Sequence, residues 1–246
     1  GYRRFNVFSQ DHPKTGDLAP VVARMLLRLW EHNIDLYRLD NSIEYRDGTI
    51  DVYLCWGGTA GGEQLFTADP EVVDNRGVPA PVNNIYIYDL PSFKDPVEMA
   101  REVAHEFGHH VQNLVGLSAE AAKASADNPE IANLISVADE LHADCMMGLW
   151  LSSVNDEGRL EVGDFNEVMT TLSKIGDDKL SADAGQAADA STFDHGTSKE
   201  RAKWFEVGYP SADPAKCAVV YDDLGNGTLS GELQAGADAV NGVTDT

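Results

Sequence analysis

The segment from Ala104 to Gln112, with the sequence AHEFGHHVQ, constrains this chain more than any other stretch. Within it, His105, Glu106 and His109 form the pattern H-E-x-x-H. Residues four positions apart lie one above the other on the same face of an α-helix, so both imidazoles can reach one metal ion. Zinc accepts neutral imidazole nitrogens and tolerates an open position for water, and the glutamate then lies beside the ion as a candidate general base. The pattern therefore predicts a zinc site on a helix.

The residues around this segment predict that it is helical. Asp95-Pro96 is typical of a helix start, Gly116 is typical of a helix end, and apolar residues recur between them at helical spacing. These residues are Val97, Ala100, Val103, Ala104, Phe107 and Val111. The alternative is a solvated helix that carries two histidines and a glutamate by chance, because a bare H-E-x-x-H also occurs without a metal.

A second stretch offers a third ligand, which a catalytic zinc site needs in addition to its open position. A helical pattern from about 136 to 154 places Glu140 and Asp144 four residues apart, so both carboxylates share one face. Glu140 can complete a His-His-Glu site, and Asp144 can accept the free ring N–H of a ligand histidine. The alternative is an exposed acidic face. The metal site is favoured because the flanking residues are apolar on several sides, and a buried carboxylate requires a cation. These flanking residues are Val137, Leu141, Cys145, Met146, Leu149 and Trp150.

Three motifs in this order resemble one known family. The run HEFGHHVQN, the later ELHADC and the still later HGTS at 195–198 are similar to those of the bacterial putative neutral zinc metallopeptidases. More broadly, H-E-x-x-H followed by E-x-x-x-D resembles the gluzincin class, to which thermolysin belongs. The resemblance covers roughly residues 83 to 217 and implies a zincin-like peptidase domain with Zn²⁺, without identifying a substrate.

The chain departs from the family pattern at two positions within these motifs. His142 stands where the second motif usually has glutamine, and Glu200 stands where the third motif usually has glutamine. Two positions along a helix rotate a side chain by about 200°. His142 is therefore expected to point away from Glu140 and not to replace it as a ligand.

The third motif contains a second candidate catalytic residue. Thr197 and Glu200 form a capping box, which predicts that His195 lies just before a helix running to about Tyr209. Given the resemblance, His195 is expected to donate a hydrogen bond to the oxyanion of the tetrahedral intermediate. The alternative is a structural histidine that bonds to nearby backbone. Arg201 is expected to pair with an acid or to orient His195.

Together these residues predict a zinc-dependent metallopeptidase. His105, His109 and Glu140 would hold zinc, and Glu106 would take a proton from the attacking water and return it to the leaving amine. A hydrolase that acts on something other than peptide bonds is a further option. The main alternative is a catalytically inactive zinc-containing binding or structural protein on the same fold. Glu106 argues against that alternative, because a structural site needs no general base and prefers four protein ligands.

The charge balance limits the classes of partner. Lys and Arg number 18 against 41 for Asp and Glu, which gives a formal net charge of -23 and a pI of about 4.4. Nucleic acid is excluded as an expected partner, because phosphate contacts require a basic surface. The acidity would favour cationic peptides by steering, but we give more weight to a role in solubility.

Cysteine content and hydropathy bear on the compartment. No apolar run approaches the ~20 residues of a membrane helix, and no signal peptide is present. The chain opens at Gly1, and the family resemblance implies a preceding membrane-spanning segment, so an extracytoplasmic location is expected. In an exported protein, Cys55, Cys145 and Cys217 would give one disulfide and one free thiol, with Cys145–Cys217 the preferred pair. Three reduced, buried cysteines in a cytosolic protein remain the alternative.

The predicted fold class is α+β, mainly helical, with a short sheet edging the active-site cleft. Residues 1–17 are predicted to be an N-terminal tether, 18–221 a single zinc metallopeptidase domain and 222–246 a flexible tail. An amphipathic helix is predicted from 18 to 33, and strands at 50–54 and 84–88. The second strand is predicted to be the edge strand beside the cleft, where it could pair with an extended peptide.

Overall fold

The computed structural model describes residues 5–9, 22–29, 50–54, 61–73, 79–88, 96–211 and 213–225. The predicted predominance of helices is confirmed for these residues. The chain divides into two compact units, Gly1–Val115 and Gly116–Thr246. No helix among the described residues is long and apolar enough to cross a membrane.

The first unit contains a sheet and two helices. Its strands are β1 (Phe5–Ser9), β2 (Ile50–Leu54), β3 (Gly61–Val73) and β4 (Pro79–Tyr88). The described strands have the order β1-β2-β4-β3, in which β1, β2 and β4 are parallel and β3 is antiparallel to β4. Strand β1 lies inside the predicted tether and pairs with β2 over its whole length.

The prediction that residues 84–88 form the edge strand is wrong. These residues belong to β4, which pairs with β2 on one side and β3 on the other. The run Ile85-Tyr86-Ile87-Tyr88 is almost continuously apolar, which is typical of an interior strand. Of the described strands, β3 lies at one edge and β1 at the other.

Two helices complete the first unit. Helix α1 covers 22–29, and the predicted amphipathic helix is confirmed over these residues, since Val22, Leu26 and Leu29 are buried. Helix α2 (Pro96–Val115) begins and ends where the sequence predicts, and it packs against β3 and β4. Its buried residues include Val103, Ala104, Phe107 and Val111.

The second unit is helical throughout its described residues. Its helices are α3 (Leu117–Asp127), α4 (Ala132–Asp156), α5 (Asp164–Leu172), α6 (Asp177–Asp183), α7 (Ser198–Gly208) and α8 (Ala215–Gly225). Helix α4 has 25 residues and contacts α3, α7 and α8. The predicted tail from 222 begins within α8, and 226–246 lie outside the described residues. The predicted domain boundaries stay predictions.

Two features draw the helices of this unit together. Gly208 of α7 faces α4 so closely that a Cβ there would lie 1.9 Å from the carbonyl oxygen of Cys145. Only glycine permits such an approach of two helices. The preferred disulfide is confirmed, since Cys145 of α4 is bonded to Cys217 of α8. Cys55 lies outside the described residues.

Candidate metal centre

Helix α2 carries two histidines on one face, as the spacing predicts. The Nε2 atoms of His105 and His109 lie 3.2 Å apart, and their rings meet edge to face at an angle of 88°. Two nitrogens bound to one tetrahedral zinc at about 2.0–2.1 Å are separated by about 3.3–3.4 Å. The two ring nitrogens therefore already have the separation that a shared zinc ion requires.

Gln112 determines which nitrogen of His109 is available. The Nδ1 atom of His109 lies 2.8 Å from Oε1 of Gln112, which can only accept a hydrogen bond. Nδ1 therefore carries the proton, and in the neutral ring Nε2 keeps its lone pair for a metal. The sequence analysis did not single out Gln112, although its position three residues after His109 places it on the same helical face.

Glu140 completes a group of three ligands. One ligand atom each from His105, His109 and Glu140 lies within 4.8 Å of the others. His105 is buried, and the other two are half-buried. Two imidazole nitrogens and one carboxylate oxygen are a donor set that zinc binds with its fourth position open. The residues present therefore fit the predicted metal.

Two neighbours on α2 differ in their surroundings. Glu106 is buried with 3% of its surface exposed, next to the candidate ligand His105. His110 is fully buried and packs against Phe107, with ring centroids 5.1 Å apart. Burial lowers the pKa of His110 to about 3, so this ring is neutral and acts as part of the core.

Asp144 and Arg201 form a buried ion pair between α4 and α7. Arg201 donates from Nε to Oδ2 of Asp144 at 2.7 Å and from Nη2 to Oδ1 at 3.0 Å. The aspartate side chain is fully buried and the arginine side chain is 6% exposed. This places Arg201 opposite an acid. The predicted hydrogen bond from a ligand histidine to Asp144 stays a prediction.

His142 and Glu200, the two departures from the family pattern, have structural contacts. His142 is buried, and its ring centroid lies 5.3 Å from that of Tyr221. Glu200 closes the predicted capping box with Thr197, which is confirmed in both directions. The structure thus places neither residue in the group of three ligands.

His195 lies just before α7, as the capping box predicts, and half of its side chain is exposed. Its Nδ1 lies 3.2 Å from Oδ1 of Asp177 at the start of α6. This hydrogen bond raises the pKa of His195 against the opposing effect of burial, and the charge of Glu140 raises it further. The sequence analysis missed Asp177, since an aspartate 18 residues upstream carries no local signal of the contact.

Comparison with known proteins gives one family and several relatives. Residues 95–220 match the model of a family described as "putative neutral zinc metallopeptidase". The uncharacterised protein YpfJ of Escherichia coli K12 is 41% identical over 117 residues, 47% of this chain and 40% of that protein. The uncharacterised protein Rv2575 of Mycobacterium tuberculosis H37Rv is 34% identical over 125 residues, 47% of this chain and 41% of that protein. The matches thus span about two fifths of the length of these relatives, and no solved structure matches the chain.

Proposed function

Because this chain belongs to the putative neutral zinc metallopeptidase family, we propose that it is a zinc metalloendopeptidase of the gluzincin type. The observation that carries the proposal is the convergence of ligand atoms from His105, His109 and Glu140 within 4.8 Å. These three residues would hold Zn²⁺. When bound by such a donor set, zinc lowers the pKa of a coordinated water towards ~7 and polarises a carbonyl group.

Two side chains of this protein would transfer the proton and stabilise the intermediate. Glu106 follows His105 directly and accepts a proton from the water that attacks the peptide carbonyl carbon. It then delivers this proton to the amide nitrogen as the C–N bond breaks, so the amine leaves neutral. His195 donates a hydrogen bond to the oxygen of the tetrahedral intermediate.

Strand β3 is the proposed binding site for the substrate backbone. Among the described strands it pairs only with β4, so its outer edge offers backbone N–H and C=O groups. An extended peptide can add to such an edge as a further strand. Helix α2, which carries both histidines, packs against β3 within the same unit. The role that the sequence analysis assigned to residues 84–88 therefore passes to β3.

We propose an extracytoplasmic location for the protein. The Cys145–Cys217 disulfide supports it, because structural disulfides persist mainly in oxidising compartments. The proposed partners are peptide or protein substrates and no nucleic acid, in keeping with the net charge of -23.

The decisive experiment is cleavage of a diverse peptide mixture by the zinc-loaded protein beside Glu106→Gln. The variant is expected to bind one zinc and to cleave nothing. Glu120→Gln is the matched control, because it makes the same change at an exposed site on α3 and is expected to cleave normally. If the parent protein binds one zinc and cleaves no peptide, the peptidase proposal fails and a zinc-containing binding protein takes its place.

A further inference from the structure

One carboxylate organises the backbone around His195. Oδ2 of Asp177 accepts hydrogen bonds from the backbone N–H groups of Asp194, His195 and Gly196 at 2.9, 2.8 and 3.0 Å. In the reverse direction, the backbone N–H of Asp177 donates to the carbonyl oxygen of Gly196 at 2.9 Å. Four hydrogen bonds therefore tie a three-residue loop to the first residue of α6.

Neighbouring residues hold the same loop from both sides. A Cβ at Gly176 would lie 2.0 Å from the backbone nitrogen of Ser198, so only glycine allows this contact between the starts of α6 and α7. The backbone N–H of Ser198 donates to Oδ1 of Asp178 at 2.8 Å. Gly196 has a φ of 87°, a conformation that favours glycine. The loop that carries His195 thus has little freedom to move away from Asp177.

The same carboxylate also faces the ring of His195. Its Oδ1 lies 3.2 Å from Nδ1, and an ionised carboxylate can only accept a hydrogen bond. Burial raises the pKa of Asp177, but the hydrogen bonds from His195 and Gly196 outweigh burial and lower it, which keeps the group ionised at neutral pH. The proton of the neutral imidazole must then reside on Nδ1.

We propose that Asp177 is a positioning residue that holds His195 in the Nδ1–H tautomer and leaves Nε2 as the nitrogen available to substrate. The inference rests on the proposed function, in which His195 serves peptide hydrolysis. It has one chemical consequence: because Nδ1 is committed to Asp177, Nε2 can donate to an oxyanion only when the ring carries both protons. The active form of His195 is therefore the imidazolium, which the negative charge of Asp177 favours.

Nitrogen-15 NMR of the full, metal-free chain tests the tautomer directly. The spectrum of protein with nitrogen-15-labelled histidines is recorded above the pKa of His195. The signals that are absent from the spectrum of His195→Gln are assigned to the ring of His195. The parent is expected to carry the proton on Nδ1. In Asp177→Asn, the amide oxygen still accepts the backbone N–H groups while the amide nitrogen faces the ring, so the proton is expected to move to Nε2. Asp178→Asn is the matched control, because it removes a charge one residue away and should leave the tautomer unchanged.

Cleavage by the zinc-loaded proteins gives a second measure. Loss of an oxyanion donor costs about 100- to 1,000-fold in kcat, so the kcat of the parent and of Asp178→Asn should fall by that much as the pH rises above the pKa of His195. Asp177→Asn should lack this fall, because its neutral ring already carries a proton on Nε2. A proton on Nε2 in the parent, or an unchanged tautomer in Asp177→Asn, would overturn the inference. If the variant does not fold, the spectrum of the parent alone decides the question. The spectrum requires no cleavage. If the protein cleaves no peptide but its spectrum shows the proton on Nδ1, the proposed function is refuted and the tautomer assignment stands.

Discussion

Gln112 fixes the proton of the His109 ring on Nδ1, because its amide oxygen lies 2.8 Å from that nitrogen and can only accept a hydrogen bond. Partners of this kind fix the ring orientation of a ligand histidine and raise its basicity, and losing one typically costs about 10- to 100-fold in metal affinity. We therefore expect the proposed zinc site to depend on a residue that would not itself touch the metal.

Replacing Gln112 tests this dependence. Gln112→Leu keeps an apolar stem without an acceptor, and its zinc affinity is expected to fall about 10- to 100-fold. Gln112→Glu keeps an acceptor and should bind zinc at least as tightly as the parent. Zinc dissociation constants from competition with a chromophoric chelator measure both effects.

The control for these variants is Asn113→Ala. Asn113 donates to the backbone carbonyl oxygen of His109 and not to its ring, so its loss should leave zinc affinity near that of the parent. Equal affinities for Gln112→Leu and the parent would show that the hydrogen bond does not support the ligand.

Between elements, the ion pair of Asp144 and Arg201 joins α4 to α7. Removing one member of a buried pair leaves an uncompensated charge, which destabilises a protein by about 3–5 kcal/mol. Arg201→Met should therefore lower the free energy of unfolding by about that amount. The double variant Asp144→Leu/Arg201→Met should recover much of the loss, because neither charge of the pair remains buried.

An exposed ion pair in the same unit provides the comparison. Arg159 lies 2.7 Å from Glu157, and about half of each side chain is exposed. Exposed pairs contribute about 0–1 kcal/mol, so Arg159→Met should change little. Urea unfolding of the metal-free proteins measures the difference. Similar losses at Arg159 and Arg201 would mean that burial does not set the strength of the α4–α7 pair.

Contacts within one helix could be predicted from the sequence, whereas some contacts between elements could not. Helical spacing relates residues three or four positions apart, so α2, its two histidines and the capping box of Thr197 and Glu200 were predictable. Asp177 was not, because it meets His195 through the packing of α6 on the start of α7, 18 residues along the chain. Nor could residues 84–88 reveal their neighbours, since one strand does not specify which strands flank it.

At the scale of the whole molecule, the dominant property is the formal net charge of -23. An excess of one sign keeps a protein soluble but destabilises its compact state through repulsion among its own charges. Salt screens that repulsion, because the Debye length falls from about 30 Å at 0.01 M to about 8 Å at 0.15 M ionic strength.

The free energy of unfolding should therefore rise between about 10 and 150 mM NaCl, as the Debye length shortens from about 30 Å to about 8 Å, and level off at higher salt. Urea is the suitable denaturant because it is uncharged and does not itself screen. The measurement is made on the metal-free protein at neutral pH, with KCl in parallel, since screening by the two salts should be equal. A rise in only one salt would indicate binding of a specific ion. Stability that is flat or falls with both salts would show that favourable exposed ion pairs, such as Arg159 with Glu157, outweigh the net repulsion.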